Sequence, residues 1–459
     1  MKRRSNGAAG TNRDNGRPRP ASAGPTAAVA EARAKISPAR AAAFEVLTLV
    51  GEGNGHSDDL LHSPRTAALT SEDRNLATAL TMGVLRWQIA LDAQLAKLLA
   101  RPNQRLAEPV ALALRMGAFQ LLHMDRIPAH AALSESVELC RAAGQPHAAG
   151  MVNAVLRKLA VECASQKLTG RRADQRRSVP LYESPAAFAE RLAHPAWLVD
   201  RWVAAYGREA ALAICEYDQK EPERGAIFNE SAAPGADAAA PGADGDALPQ
   251  IDDGSRLVAE IAAAALQQVE NRAARVWDCC AAPGGKTLVL AKGLVGAEIT
   301  ATDVSAKRMA QMAARLGRYP YAERVKCSVG DAAASASEGA AETKFDLILC
   351  DVPCSGTGTL ARNPEIRLRL QPEEFVRQAV RQKAILSGAA ARLAAGGRLV
   401  YSTCSLEPEE NERVVEVVLT EASGVSLVAV DSSVEKLRES GAPPESGGSL
   451  WNNSRFAGP

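Results

Sequence analysis

Two cysteines stand just beyond short apolar runs, Cys354 in CDVPCSGTG after FDLILCDVP and Cys404 in YSTCSLEPEENE after GGRLVYST. A thiol is small and apolar and can simply fill a core. That use suits Cys350, inside its run, better than Cys354 and Cys404, which fall in a Pro-Cys turn and a Thr-Cys turn. Turns at strand ends are where a wound α/β sheet presents chemistry. A thiol placed there becomes a nucleophile once it ionises.

A third stretch, DCCAAPGGKT at 278–287, ends an apolar run and opens a helical one. Gly284 and Gly285 lack a Cβ, so a nucleotide can approach the backbone closely there. Alone, such a turn says little, but acids stand at the ends of the next two runs. Asp303 in ATDVS follows Gly284 by 19 residues, near the offset of about 20 at which an acid meets ribose hydroxyls. Asp331 in VGDA ends the third run, in reach of an adenine amino group. Either aspartate could instead cap the following helix. The turn is neither a triphosphate loop nor the G-x-G-x-x-G of dinucleotide sites. A glycine turn with strand-end acids suits a nucleoside without phosphates. S-adenosylmethionine is the expected cofactor and methyl transfer the expected reaction.

These residues need a sheet to hold them. RVWDCCAAP, AEITATDVS, RVKCSVGDA, FDLILCDVP and GRLVYSTCS are five apolar runs, separated by helical stretches such as KRMAQMAARLGR and EEFVRQAVRQKAILSGAAARLAAG. Such alternation predicts a parallel sheet wound with helices, over residues 255–459. Residues 37–164 are helical in pattern throughout, with Leu76, Leu80, Val84 and Leu91 along one face and a Ser37 cap ahead of Pro38. This all-α bundle carries no catalytic constellation, and His123, His130 and His147 are isolated. Between the two lies 165–254: a polar basic linker, helical periodicity with Trp197 and Trp202 as core anchors, and a low-complexity stretch at 231–248.

The whole chain has 459 residues, hence two or three domains. Its 54 basic and 53 acidic residues leave +1, so bulk charge announces no polyanionic partner. Residues 1–36 form a tail expected to be disordered; over residues 1–40, nine Lys/Arg against Asp14 and Glu31 give a net +7. Nine cysteines with no C-x-x-C pair and no zinc spacing imply free thiols, a reducing compartment and no metal. No apolar run is long enough to span a membrane and no signal peptide leads the chain, so a cytoplasmic monomer is expected.

DCCAAPGGKT, ATDVSAKRM, DVPCSGTGTLARNPEIR and YSTCSLEPEENE resemble, in order, the motifs of the RNA (cytosine-5) methyltransferases. DRNLATALTMGVLRWQIALD, LRMGAFQLLHMDRIPAHAALSESVEL and AGMVNAVLRKL are similar to the NusB-like RNA-binding domain fused to one branch of them, the bacterial 16S ribosomal RNA small-subunit methyltransferase B group. The resemblance covers roughly residues 37–420. It implies a NusB-like bundle, a Rossmann-like class I methyltransferase domain and 16S ribosomal RNA as partner. It implies Cys404 as nucleophile toward cytosine C6, Cys354 in product release, and Asp351 on the base. The residues alone leave the order of the thiols open, because DNA methyltransferases of this chemistry use the Pro-Cys thiol.

Lys286 is expected to lower a thiolate pKa or orient the base. The cofactor set is Cys280, Ala281, Ala282, Pro283, Gly284, Gly285, Lys286, Asp303, Asp331 and Asp351, with Cys280 acting through its backbone. Arg362, Arg367 and Arg369, beside the Pro-Cys turn, are expected to meet phosphates; a solvated helix face is the alternative. Family members end with a further strand, and this chain closes on LWNNSRFAGP, so a sheet lacking that strand is expected. Two other functions compete: an RNA-binding assembly factor with impaired catalysis, and the same chemistry on transfer RNA.

Overall fold

The computed structural model describes residues 27–102, 105–168, 183–221, 251–266, 272–334 and 343–430. Most of the basic tail, most of the 165–184 linker, the 231–248 stretch and the C-terminal segment from 431 lie outside the described residues. The chain divides into two compact units, 1–183 and 184–459.

Among the described residues the first unit is all helical, its longer helices being Pro38–Gly51, Ser71–Leu98, Glu108–His123, Ala129–Ala142 and Ala149–Leu168. Leu80, Val84 and Leu91 are buried as their spacing predicts, and Leu76 is half-buried. Ser37 stands at the N-cap without capping; its hydroxyl donates instead to Glu135, 2.7 Å away. Glu135 also pairs with the buried Arg40 guanidinium at 2.9 Å, tying two helices. His123 is held by rings, stacked on Trp87 and Phe119 at 4.5 and 5.2 Å between centroids.

The second unit is built on a five-stranded sheet: β1 Arg275–Asp278, β2 Glu298–Asp303, β3 Val325–Val329, β4 Phe345–Asp351 and β5 Leu393–Ser402. Their spatial order is β3-β2-β1-β4-β5 and every pairing is parallel. All five apolar runs are therefore strands. Parallel strands covered on both faces read as continuous apolar runs, and β4 is buried along its whole length but for Asp351. Alternate residues serve opposite faces. Val276, Leu347 and Leu349 pack with Leu288, Met309 and Met312 on one side. Trp277, Ile348 and Cys350 pack with Ile385 and Ala389 on the other.

β5 begins earlier than its sequence suggests. RLAAG reads as the end of a helix, yet helix Pro372–Ala391 stops before it and the strand starts at Leu393. The pairing with β4 is irregular between Phe345 and Leu347, and Gly396 takes a left-handed φ of 75° at that point, a conformation open to glycine. Three short helices, Pro185–Arg191, Ala196–Tyr206 and Arg208–Asp218, complete this unit. They share a core with Leu360, Leu370 and Phe375, anchored by the buried Trp202. Trp197 is only partly buried and tilts against Phe375.

Candidate active site

The carboxyl ends of β1 to β5 lie along one edge, and the sequence-derived residues gather there. The chain leaves β1 through DCCAAPGGKT and turns into helix Gly285–Gly293. Gly284 is left-handed, with φ 93°, and a Cβ on it would sit 2.8 Å from Met312 Cγ. The glycine is thus demanded by the protein's own packing as well as by any ligand. The side chains of Ala281 and Ala282 are buried beneath the turn, while Pro283 is exposed. Cys279 is buried against Cys350, 3.2 Å between sulfurs, as core filling.

Asp303 ends β2 with its carboxyl buried; Oδ1 accepts the Ser305 N–H at 2.9 Å and Oδ2 lies 3.4 Å from Arg308. Asp331 follows β3, is exposed, and accepts the Ala333 N–H at 2.9 Å. Asp351 ends β4 and is fixed from two sides: Lys286 Nζ lies 2.7 Å from Oδ2, and Ser402 Oγ donates to Oδ1 at 2.8 Å. Lys286 also donates to Ser255, 3.0 Å away. The lysine therefore reaches across from the glycine turn to hold the acid of the next strand. Beneath them Asp278 is 1% exposed, and burial pushes its carboxyl up to about 7 despite a hydrogen bond from Thr287.

The two thiols meet. Cys354 Sγ and Cys404 Sγ are 3.0 Å apart, and the Cys404 N–H points to Cys354 Sγ at 3.3 Å. Cys404 is the more exposed residue. Its thiol is lowered, first by the hydrogen bond from Cys354; burial and Asp351 oppose, and the Lys286 charge adds a smaller lowering. Cys354 is raised, first by that same bond and then by burial. Of the two, Cys404 is thus the thiol that gives up its proton more readily. The Pro-Cys and Thr-Cys segments also approach closely in backbone: Gly358 N–H donates to Cys404 C=O at 2.9 Å, and a Cβ on Gly358 would lie 3.0 Å from that oxygen.

The arginines behave differently from expectation. Arg367 is 2% exposed and donates to the backbone carbonyls of Ala193, Asp218 and Leu360. A guanidinium enclosed by three carbonyls inside the protein is a strut and has no access to a phosphate, so the expectation for Arg367 is corrected. Arg362 remains half-exposed but pairs with Asp252 at 3.2 Å, and Arg369 lies 3.8 Å from Glu365.

Sequence reasoning missed the residues beneath the thiols. Glu407 is buried and accepts from Trp202 Nε1 and from Arg201 Nε, both at 3.0 Å. Tyr206 donates to the Leu406 carbonyl. Helix Ala196–Tyr206 thereby braces the loop that carries Cys404. Asn411 donates to the carbonyls of Ser405 and Glu407 from within the loop. The only signal was the density of polar residues in SLEPEENE, which has no period from which to read a direction.

A parallel sheet wound with helices, a glycine turn after its first strand and acids at the next strand ends define a Rossmann-like methyltransferase domain. The family described as "16S rRNA methyltransferase RsmB/F" matches residues 263–444, and the NusB family matches residues 37–161. Probable ribosomal RNA small subunit methyltransferase B of Bacillus subtilis (strain 168) is 30% identical over 426 residues, 84% of this chain and 89% of that protein. Ribosomal RNA small subunit methyltransferase B of Citrobacter koseri is 30% identical over 417 residues, 86% and 92% of the two chains. The crystal structure of PH0851 matches with a TM-score of 0.64 at 20% identity, over 86% of this chain and 91% of that one, which shows the fold. The chain belongs to the ribosomal RNA small subunit methyltransferase B family and is a methyltransferase with an N-terminal NusB domain. Among the described residues no helix is long and apolar enough to cross a membrane.

Proposed function

We propose that this chain transfers a methyl group from S-adenosylmethionine to C5 of a cytosine in 16S ribosomal RNA, through a transient bond between Cys404 and C6. The observation that carries the reading is the pair of thiols 3.0 Å apart beside the Lys286–Asp351 ion pair.

The cofactor's chemistry fits the edge of the sheet. Asp331, Asp303, the glycine turn and Asp351 end four neighbouring strands in the order β3, β2, β1, β4. Carboxylates accept from an amino group and from ribose hydroxyls, and the glycines leave the backbone open between them. Bound there, S-adenosylmethionine supplies a methyl group on a sulfonium sulfur.

Cytosine C5 is too electron-poor to take a methyl group directly. Addition of the Cys404 thiolate to C6 turns the ring into an enamine with a nucleophilic C5, splitting one difficult step into easier ones. Asp351, held by Lys286 and Ser402, stands ready to accept from the exocyclic amine of the base. After methylation a base removes the C5 proton and the C6–S bond breaks, which returns Cys404 as thiolate. Cys354 assists that breakdown from its place against the Cys404 sulfur. The cytosine must be unpaired or flipped to reach these groups. The NusB domain, on its family's RNA-binding character, recruits the RNA.

The test is methylation of 16S ribosomal RNA and of transfer RNA with methyl-labelled cofactor, followed by nucleotide mapping. Label at C5 of a cytosine in 16S RNA is expected. Label only in transfer RNA would overturn the substrate, and label on neither would favour an assembly factor.

A further inference from the structure

The Pro-Cys and Thr-Cys turns converge on one buried carboxyl. Glu410 is 0% exposed, and its oxygens collect four donors from three segments. Oε1 accepts the Ser355 N–H at 2.9 Å and Gln382 Nε2 at 3.2 Å. Oε2 accepts the hydroxyls of Ser355 and Ser405, which are themselves 3.1 Å apart. Ser355 directly follows Cys354 and Ser405 directly follows Cys404. Gln382 also donates to the carbonyl of Pro353, the residue before Cys354, at 2.9 Å. Tyr401, near the end of β5, donates to the Glu410 carbonyl at 2.6 Å.

The sheet itself does not reach the thiols. The pairing of β4 with β5 ends at Asp351 and Ser402, with one further bond from Val352 N–H to the Ser402 carbonyl. Beyond it the two segments continue without a ladder until Gly358 N–H meets the Cys404 carbonyl at 2.9 Å, and in that gap the carboxyl takes over their pairing.

We propose that Glu410 is a positioning residue that sets the separation of the two thiols, its carboxyl gripping the hydroxyl beside each and holding Cys354 as a donor to Cys404. The proposal rests on the roles given to Cys404 and Cys354 above. Glutamine replaces the carboxyl incompletely. With its carbonyl accepting from the Ser355 N–H and the Gln382 amide, its NH2 must donate to the hydroxyls of Ser355 and Ser405. That removes the charge and reverses the direction of both serine contacts. The groups that face Cys404 are Cys354, Lys286 from helix Gly285–Gly293 and Asp351 from the end of β4. Glu410→Gln leaves all three side chains in place and changes how the turns carrying Cys354 and Cys404 are held against each other.

The experiment is alkylation of the full-length chain with iodoacetamide over a pH series, without RNA or cofactor, reading the Cys404 and Cys354 peptides by mass spectrometry. Glu410→Gln should raise the pH midpoint of Cys404 alkylation by about one unit, the worth of one lost hydrogen bond. It should slow RNA methylation severalfold while the Kd for S-adenosylmethionine holds. Ser355→Ala and Ser405→Ala should each move the midpoint the same way by less. A carboxyl that only supports the fold would lower Tm and leave the midpoint alone. That result in Glu410→Gln, or in both serine variants should Glu410→Gln fail to fold, overturns the clamp. If Cys354 alkylates at the lower pH in the wild type, the assignment of the thiols fails instead, and the same variants then test the clamp on the Cys354 midpoint.

Discussion

At the scale of single residues, burial and close contact displace Asp278, Cys354 and Cys404 from their ordinary protonation. Asp278 is the clearest. Its carboxyl rises from 3.8 to about 7 through burial, so between those values the folded chain keeps a proton that the unfolded chain has released. Folding is then favoured at the acidic end of the window, and that contribution is lost as pH rises through about 7. Asp278→Asn removes the titration. Against wild type it should gain stability as pH is raised from about 4 to about 7, by at most about 4 kcal/mol. Denaturant unfolding at several pH values reads this, and parallel curves for the two proteins would contradict it. Asp303 gives a second residue-scale expectation. With its carboxyl gone, S-adenosylmethionine should bind more weakly by about 1–3 kcal/mol, the cost of a buried bond to a ribose hydroxyl. Unchanged affinity by calorimetry in Asp303→Ala would refute that contact.

At the scale of elements, two short segments decide where the chemistry sits. The turn after β1 needs glycine at 284 for its left-handed φ and for the space occupied by Met312. Gly284→Ala should cost roughly 2–4 kcal/mol from backbone strain and overpacking together, seen as a lowered Tm; an unchanged Tm would mean that the turn relaxes freely. The loop carrying Cys404 has no regular structure and borrows its rigidity from helix Ala196–Tyr206. Trp202→Phe keeps the ring in its core but removes the indole donor from Glu407. Losing one donor to a buried carboxylate costs about 1–3 kcal/mol, and the reaction should slow because the nucleophile loop loosens. Wild-type turnover in Trp202→Phe would show that the brace is dispensable. The five strands were legible because strands covered on both faces have no polar side to interrupt them. The start of β5 was not, since the two alanines of residues 393–397 continue the preceding helical pattern and the two glycines after them read as its end. Arg367 was misjudged for a related reason: a charged group is rarely buried, and nothing local reveals that three carbonyls wait for it.

At the scale of the whole molecule, chemistry and helical bundle occupy separate units. Every residue given a part in the reaction lies in 184–459. The unit 1–183 is held by its own contacts, such as Arg40 with Glu135 and Gln120. The thiols, the acids and the glycine turn were readable from sequence because each sits at a strand end, where direction follows from the fold. What gathers them, the contacts made by Glu410, Glu407 and Trp202, was not, because they join residues up to 206 positions apart. Removing residues 37–164 should raise the RNA concentration needed for activity and leave cofactor affinity intact; full efficiency without them would refute a recruiting role. The central claim is that Cys404 attacks the base and Cys354 helps release it, and its most direct measurement is a denaturing gel of each alanine variant incubated with 16S RNA and S-adenosylmethionine. Cys354→Ala should remain attached to RNA as a covalent species, and Cys404→Ala should be inactive with none. RNA trapped by Cys404→Ala would reverse the two roles, and activity in both variants with no trapped species would contradict the covalent mechanism itself.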